Sequence, residues 1–365
     1  MLREQEVIIV GSGLMGLSTA ISLKERNPKM GITILERSLL PFGASTRNAG
    51  FACFGKACEM LSDIKLQGEK AAAHLAYQRY HGLELLRKRI GDSAMHYENL
   101  GGHELIFDAE ETVKTSDINL LNDLLEPHFQ QKIFFENNDK IRTSGFAGVK
   151  QLISNPLEGQ IHSGKLVSAL WKLANTLGIR VITGAEVKHI EERQAGIEIQ
   201  VLRTDREYTF MADKVAICTN ALAKELTGAL DLKPGRGQVL ITEELEKIPF
   251  EGSFHFDEGY YYFRNVGRRI LFGGGRNLAF DAEATTEFDL NTQIQQKLDE
   301  FLKQVIYPSG NVKVEMRWCG IMGFSPDKTP VVQAVSQRQF VGLTCNGMGV
   351  ALSSLSGERL AELLG

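Results

Sequence analysis

The sequence predicts an α/β protein in which a doubly wound parallel sheet is joined to a second domain built on a mixed or antiparallel sheet. Three observations predict it. A β-branched run at residues 7–10 leads through a glycine turn into an apolar-periodic stretch at 14–26, then into a second apolar run at 32–35. That strand–helix–strand order implies parallel pairing. Alternating strands follow at 181–187, 196–204, 208–212 and 215–218. Residues 235–280 are rich in Tyr, Phe, Gly and β-branched types around Asn265-Val266-Gly267, a hairpin turn signal.

Taken in order, the first helix stops at Asn27-Pro28, and the second strand starts after Gly31 and ends at Glu36. Residues 61–90 are Ala-rich and amphipathic, which predicts one long helix. A helix over 164–177 is closed by Gly178, where a left-handed residue is wanted. The last strand is 339–343, and the last helix, 347–364, is entered through glycines. No internal repeat and no low-complexity linker interrupts the chain.

Composition sets outer bounds. A chain of 365 residues has room for two to three domains and a large core. At 43% hydrophobic, 24% charged and 8% aromatic it departs from disordered, collagen-like and coiled-coil usage. A net charge of -4 repels phosphate backbones, so nucleic acid is not an expected partner. The cysteines at 53, 58, 218, 319 and 345 form no CxxC pair, and their odd number argues against a disulfide framework. Together with an N-terminus that has neither the basic nor the long apolar region of a signal peptide, this predicts a reducing cytoplasm. No apolar run approaches the length of a membrane span. The histidines show no HExxH or paired ligand pattern, so no metal site is expected.

Gly11-Ser12-Gly13-Leu14-Met15-Gly16 fits GxGxxG after a strand and at the opening of a helix. The first glycine permits the turn, the second lets backbone approach a pyrophosphate, and the third allows close helix packing. The helix N-terminus then offers unpaired N–H groups to phosphate. Glu36 lies 20 residues past Gly16, at the end of the second strand, where a carboxylate can accept from both ribose hydroxyls. This fingerprint predicts a dinucleotide and leaves FAD and NAD both open. The next segment, Gly43-Ala44-Ser45-Thr46-Arg47-Asn48-Ala49-Gly50, is small and polar and able to bring backbone against a flat ring.

That segment resembles the flavin-contacting loop of the D-amino-acid oxidase superfamily, FAD-dependent oxidoreductases that include glycine, sarcosine and gamma-glutamylputrescine oxidases. Further landmarks follow in the family's order. Residues 215–220 resemble its strand into a Thr-Asn turn, and Tyr260-Tyr261-Tyr262-Phe263-Arg264 with residues 269–275 its substrate-domain hairpin. Residues 317–327, ending Gly323-Phe324-Ser325-Pro326-Asp327, resemble its return strand, and residues 345–351 its closing glycine turn and helix. The resemblance covers nearly the whole chain. It implies a discontinuous FAD-binding, Rossmann-like domain over 1–90, 150–225 and 325–365, with a substrate domain over 91–149 and 226–324.

It also implies the cofactor contacts: Gly11, Gly13, Leu14, Met15, Gly16, Glu36 and Arg37, then Ser45, Thr46, Arg47, Asn48, Ala49 and Gly50. Val187, Thr219, Asn220 and Gly320 join them, as do Gly347, Met348, Gly349, Val350 and Ala351 at the start of the last helix. A helix N-terminus there can stabilise negative charge on the reduced ring. Strand alternation sends Tyr260 and Tyr262 one way and Tyr261 and Phe263 the other. The resemblance puts Tyr260 and Tyr262 on the substrate side.

Three positions depart from the family. Met322 stands where members that bind an amino-acid carboxylate hold an arginine. Leu271 stands near the place of a lysine that helps react with oxygen. Cys319 is shifted by one from the cysteine that carries a covalent flavin, so noncovalent FAD is expected. The implied reaction is oxidation of a C–N bond in a small-molecule amine, with hydride passing to flavin, the imine hydrolysing, and oxygen or another acceptor taking the electrons. Tyr260, Tyr262 and Met322 are the residues expected beside the substrate. The alternatives are a dehydrogenase of a hydroxy acid or glycerol phosphate on the same scaffold, or a flavin-binding subunit without chemistry of its own.

Overall fold

The computed structural model describes residues 5–108, 112–228, 230–326 and 328–365. The first four residues of the N-terminus and Asp327, the last residue of the return-strand motif, lie outside the described residues.

The first sheet runs Val331–Ala334, Gln339–Leu343, Arg206–Ile217, Gln5–Val10, Ile32–Leu35, Arg180–Ile182. The pairings among Gln339–Leu343, Arg206–Ile217, Gln5–Val10, Ile32–Leu35 and Arg180–Ile182 are all parallel. Val7, Ile8, Ile9 and Val10 are all buried, as expected of a strand covered on both faces. Residues 208–212 and 215–218, read from sequence as two strands, belong to one, Arg206–Ile217. Its first half pairs antiparallel with Gly196–Arg203 and its second half parallel with Gln5–Val10. Asp213-Lys214 looks like a turn in sequence, but extended backbone continues through it, and the Lys214 ammonium donates to the Leu364 carbonyl at 2.5 Å.

Helices Leu14–Arg26, Glu69–Ile90 and Gly349–Leu364 pack together on this sheet. The last crosses so closely that a Cβ at Gly357 would stand 2.6 Å from the Cβ of Ser18. The long helix expected over 61–90 is two helices, Ala57–Gln67 and Glu69–Ile90. Gly68 separates them at φ +87°, donating to the Ile64 carbonyl and closing the first helix. Left-handed backbone is cheap for glycine, so apolar periodicity alone does not carry the helix through this point.

The second sheet runs Val314–Phe324, Lys233–Thr242, Arg269–Gly274, Tyr261–Val266, Ser253–Phe256, Gly102–Ile106, Gln151–Asn155, Phe135–Glu136. It is mixed: Ser253–Phe256 lies parallel to Gly102–Ile106 and the other pairs are antiparallel. Gln151–Asn155 sits in this sheet, beyond the boundary at 150 expected from sequence. Phe254, Phe256, Tyr261, Phe263 and Phe272 form one face of it, against helix Thr292–Phe301. Phe254 and Phe263 stack at 4.8 Å, an offset pairing of large buried rings.

Arg264 ties the second sheet to the 43–50 loop and to the segment before helix Ser163–Thr176. Its guanidinium is buried and donates to the Ala49 carbonyl at 2.6 Å, the Ile161 carbonyl at 3.1 Å and its neighbour's carbonyl, Asn265, at 3.3 Å. Burial pulls its pKa down to about 10, still charged at neutral pH. Replacing it with leucine strands two buried carbonyls of other segments without a donor. Urea unfolding of Arg264→Leu is expected to show a loss on the order of 2–4 kcal/mol, with the flavin released before the far-UV signal is lost.

Candidate active site

A cavity of about 560 Å³ opens between the two sheets, and the N-termini of helices Leu14–Arg26 and Gly349–Leu364 both reach it. Gly11 sits at φ +100°, and a Cβ there would meet the Cys218 carbonyl oxygen at 2.8 Å. Only glycine makes this turn from strand to helix. Neither helix has a side chain capping its N-terminus or an acid in its first turn. Ser45 is the exception in kind: its Oγ accepts from the Leu14 amide at 2.9 Å, fastening the 43–50 loop to the helix start.

Glu36 is buried at the end of its strand and already oriented. Oε2 accepts from the Ser12 amide at 2.9 Å and the Ser12 hydroxyl at 2.7 Å, and Oε1 from the Ser38 amide at 3.0 Å. Carboxylate oxygens have lone pairs to spare, so these bonds position the group and leave capacity for hydroxyls in the cavity. On the same wall the buried Thr219 Oγ1 has no hydrogen-bond partner. A buried orphan hydroxyl fits a polar ligand in this space. Two helix N-termini without an N-cap side chain of their own, an oriented carboxylate and an orphan hydroxyl suit a dinucleotide carrying ribose and pyrophosphate.

Of the residues expected at the cofactor, Gly16 and Thr46 are the two that do not line the cavity. Gly16 packs against the Gly11 carbonyl, and a Cβ there would overlap it. The Thr46 hydroxyl turns inward to the Pro41 carbonyl at 2.7 Å. The rest, from Gly11 through Val187 to Ala351, border it. Arg47 does so while clasped: its guanidinium lies 3.7 Å from the Phe42 ring and donates to the Cys319 carbonyl at 3.0 Å, and the Trp318 indole donates back to the Arg47 carbonyl.

The far end of the cavity is aromatic. Tyr260 and Tyr262 border it, whereas Tyr261 and Phe263 are in the core at 2% and 0% exposure. The Tyr262 ring stands edge-on to Phe51, and burial pushes its hydroxyl up to about 12. Met322 borders the same end, while Cys319 does not reach the cavity and pairs across from Gln238. Leu271 packs with Ala49 and Val239 beneath the 43–50 loop.

Sequence reasoning missed three residues of this wall: Lys56, Glu59 and His255. Lys56 pairs with Glu59 at 2.9 Å, and Glu59 also meets Arg79 at 3.3 Å. Burial opposes both charges of the Lys56–Glu59 pair, yet each holds the other ionised, the ammonium above and the carboxyl well below its ordinary range. Burial, then the nearby Lys56 charge, pushes His255 well below its ordinary value, so its imidazole is neutral. His255 lies some two hundred positions from Lys56 and Glu59, and no fixed spacing announces such a group.

Fold and site define a dinucleotide-binding enzyme whose cavity is polar at one end and aromatic at the other. The chain belongs to the FAD-dependent oxidoreductase family (DAO), which it matches over residues 6–363. It is similar to the probable oxidoreductase OrdL of Haemophilus influenzae, at 22% identity over 100% of this chain and 83% of that one. It is also similar to the gamma-glutamylputrescine oxidoreductase of Escherichia coli, at 25% identity over 98% and 83%. Among solved structures, the L-proline dehydrogenase from P. horikoshii superposes with a TM-score of 0.80 at 15% identity, over 100% of this chain and 94% of that one. The protein is thus an FAD-dependent oxidoreductase. Among the described residues no helix is long and apolar enough to cross a membrane.

Glu36→Ala is expected to weaken FAD by on the order of 1–3 kcal/mol, read as a roughly 10- to 100-fold rise in Kd when apoprotein is titrated with FAD and its fluorescence followed. Acid precipitation of the wild-type holoenzyme should leave all the flavin in the supernatant, because Cys319 does not reach the cavity.

Proposed function

We propose that this protein oxidises a C–N bond in a small amine whose reacting carbon carries no carboxylate. The observation that carries this reading is the apolar wall of Tyr260, Tyr262 and Met322 at one end of the cavity, with a thioether rather than a guanidinium on the return strand. A carboxylate held against that wall would be buried without a partner, which is costly. The names of two proteins similar to this chain, which concern gamma-glutamylputrescine and L-proline, support a nitrogen-bearing substrate.

FAD, when bound, supplies the two-electron acceptor for the hydride of the carbon beside the nitrogen. The chain's own residues do the rest. Backbone at Gly11 to Met15 and the carboxylate of Glu36 would hold the pyrophosphate and ribose. The N-terminus at Gly349 would direct its N–H groups and positive potential at the ring end. Tyr260, Tyr262 and Met322 would exclude water and favour the neutral amine over the ammonium, since burial disfavours charge. The imine product leaves and hydrolyses in water, and oxygen or another acceptor takes the electrons. The absence of any disulfide among the described residues supports a reducing compartment such as the cytoplasm.

Anaerobic mixing of holoenzyme with amines, α-amino acids and hydroxy acids tests this. Amines without an α-carboxylate should bleach the flavin absorbance at least tenfold faster than glycine, sarcosine or D-alanine. Tyr262→Phe should change the reduction rate several-fold with flavin content intact. Faster reduction by the α-amino acids, or reduction by hydroxy acids alone, overturns the reading.

A further inference from the structure

Arg276 follows the strand Arg269–Gly274 in a short turn, and its half-buried guanidinium borders the cavity. It lies 4.1 Å from the centre of the Phe324 ring and 5.1 Å from that of Phe280. Among the described residues it makes no hydrogen bond and no ion pair. Of the other guanidiniums near the cavity and the sheet junction, Arg47 and Arg264 bond carbonyls, Arg79 pairs with Glu59 and Arg236 with Glu283, while Arg37, which also borders the cavity, is exposed to solvent. Glu283, the one carboxylate whose charge Arg276 feels, is fully buried and saturated by Arg236, Gln238 and Asn291. Tyr260 and Tyr262 also face Arg276. Burial pulls its pKa down, the mark of a cation that has lost water without gaining a counter-charge.

The floor beneath these groups is glycine. A Cβ at Gly235 would come within 2.6 Å of Arg276 Nη1, and one at Gly237 within 3.0 Å of the Met322 methyl carbon and 3.7 Å of the Tyr262 hydroxyl. Both glycines are on the strand Lys233–Thr242, two residues apart and therefore on one face. The guanidinium and the Tyr262–Met322 pair thus stand over two positions of one strand face that are about 7 Å apart, neither of which carries a side chain.

We propose that Arg276 anchors a carboxylate borne by the substrate amine several bonds away from the carbon that reacts. This rests on the reading above for the reacting end, and it gives the substrate class as an ω-amino acid or a longer amine ending in a carboxylate. A planar guanidinium stacked on Phe324 presents its edge, the geometry that takes a carboxylate through two hydrogen bonds. Met322 makes the reacting position apolar, and Arg276 places a positive charge farther along the same wall of the cavity.

The test pairs a binding measurement with turnover. Hexanoate and hexanamide are titrated into the oxidised holoenzyme, and the flavin absorbance is followed. ω-Amino acids from 3-aminopropionate to 6-aminohexanoate, and their amides, are then mixed anaerobically with wild type, Arg276→Gln and Arg276→Lys. Hexanoate should perturb the spectrum at least tenfold more tightly than hexanamide. At least one of the longer acids should reduce the flavin at least tenfold more efficiently than its amide. Arg276→Gln should abolish both preferences with flavin content unchanged, and Arg276→Lys should restore part of each. Equal binding of acid and amide, or a preference that survives in Arg276→Gln, overturns the anchor while leaving amine oxidation standing. Arg276-dependent binding of hexanoate with no reduction by any amine leaves the anchor standing and overturns amine oxidation.

Discussion

The guanidinium of Arg264 is the contact on which the site depends. It arises from a strand of the second sheet, yet it is neutralised by carbonyls of Ala49, in the cofactor-side loop, and Ile161, before helix Ser163–Thr176. No carboxylate shares this burial, so the charge is stabilised only if those carbonyls are in place. Gly50 completes the joint at φ +76°, where any Cβ would stand 2.7 Å from Arg264 Nη2. The 43–50 loop is thereby held against the strand that carries Tyr262.

Around that joint the cavity divides by polarity. One end is backbone amide, Glu36 and the orphan Thr219 hydroxyl, which suits phosphate and ribose. The other is ring and thioether, where a charged amine is disfavoured. Between them the Lys56–Glu59 pair and neutral His255 complete the wall. The pair is compensated within itself, so it adds no net charge to the middle of the cavity. Arg276 is different because, among the described residues, its guanidinium makes no hydrogen bond and no ion pair.

The segment that carries Arg276 is itself held from below. Arg236 and Glu283 make a two-pronged pair at 2.8 and 2.9 Å, and Gln238 and Asn291 fill the remaining carboxylate positions. A fully satisfied buried pair of this kind fixes geometry more than it adds stability. It places residues 276–291 over the strand that bears Gly235 and Gly237, so the guanidinium and the apolar wall keep a constant spacing.

The sequence by itself determined the elements whose signals are local. Gly11, Gly13 and Gly16 with Glu36 declare a strand, a turn, a helix and a carboxylate, because each glycine answers a steric demand of its immediate neighbours. Alternation separates Tyr262 from Tyr261 and Phe263, since a strand's faces follow from its period of two, whereas Tyr260 lies in the turn before that strand and its place is set by the turn. Tertiary structure decided what depends on long-range contact. It split the helix expected over 61–90 at Gly68, carried one strand through Asp213-Lys214, and moved residues 151–155 into the second sheet. It also chose which arginine stays uncompensated. Arg264 and Arg276 look alike in sequence, and only the approach of the Ala49 and Ile161 carbonyls to one, where the other meets aromatic rings and no carbonyl among the described residues, gives the first a structural task and leaves the second bordering the cavity.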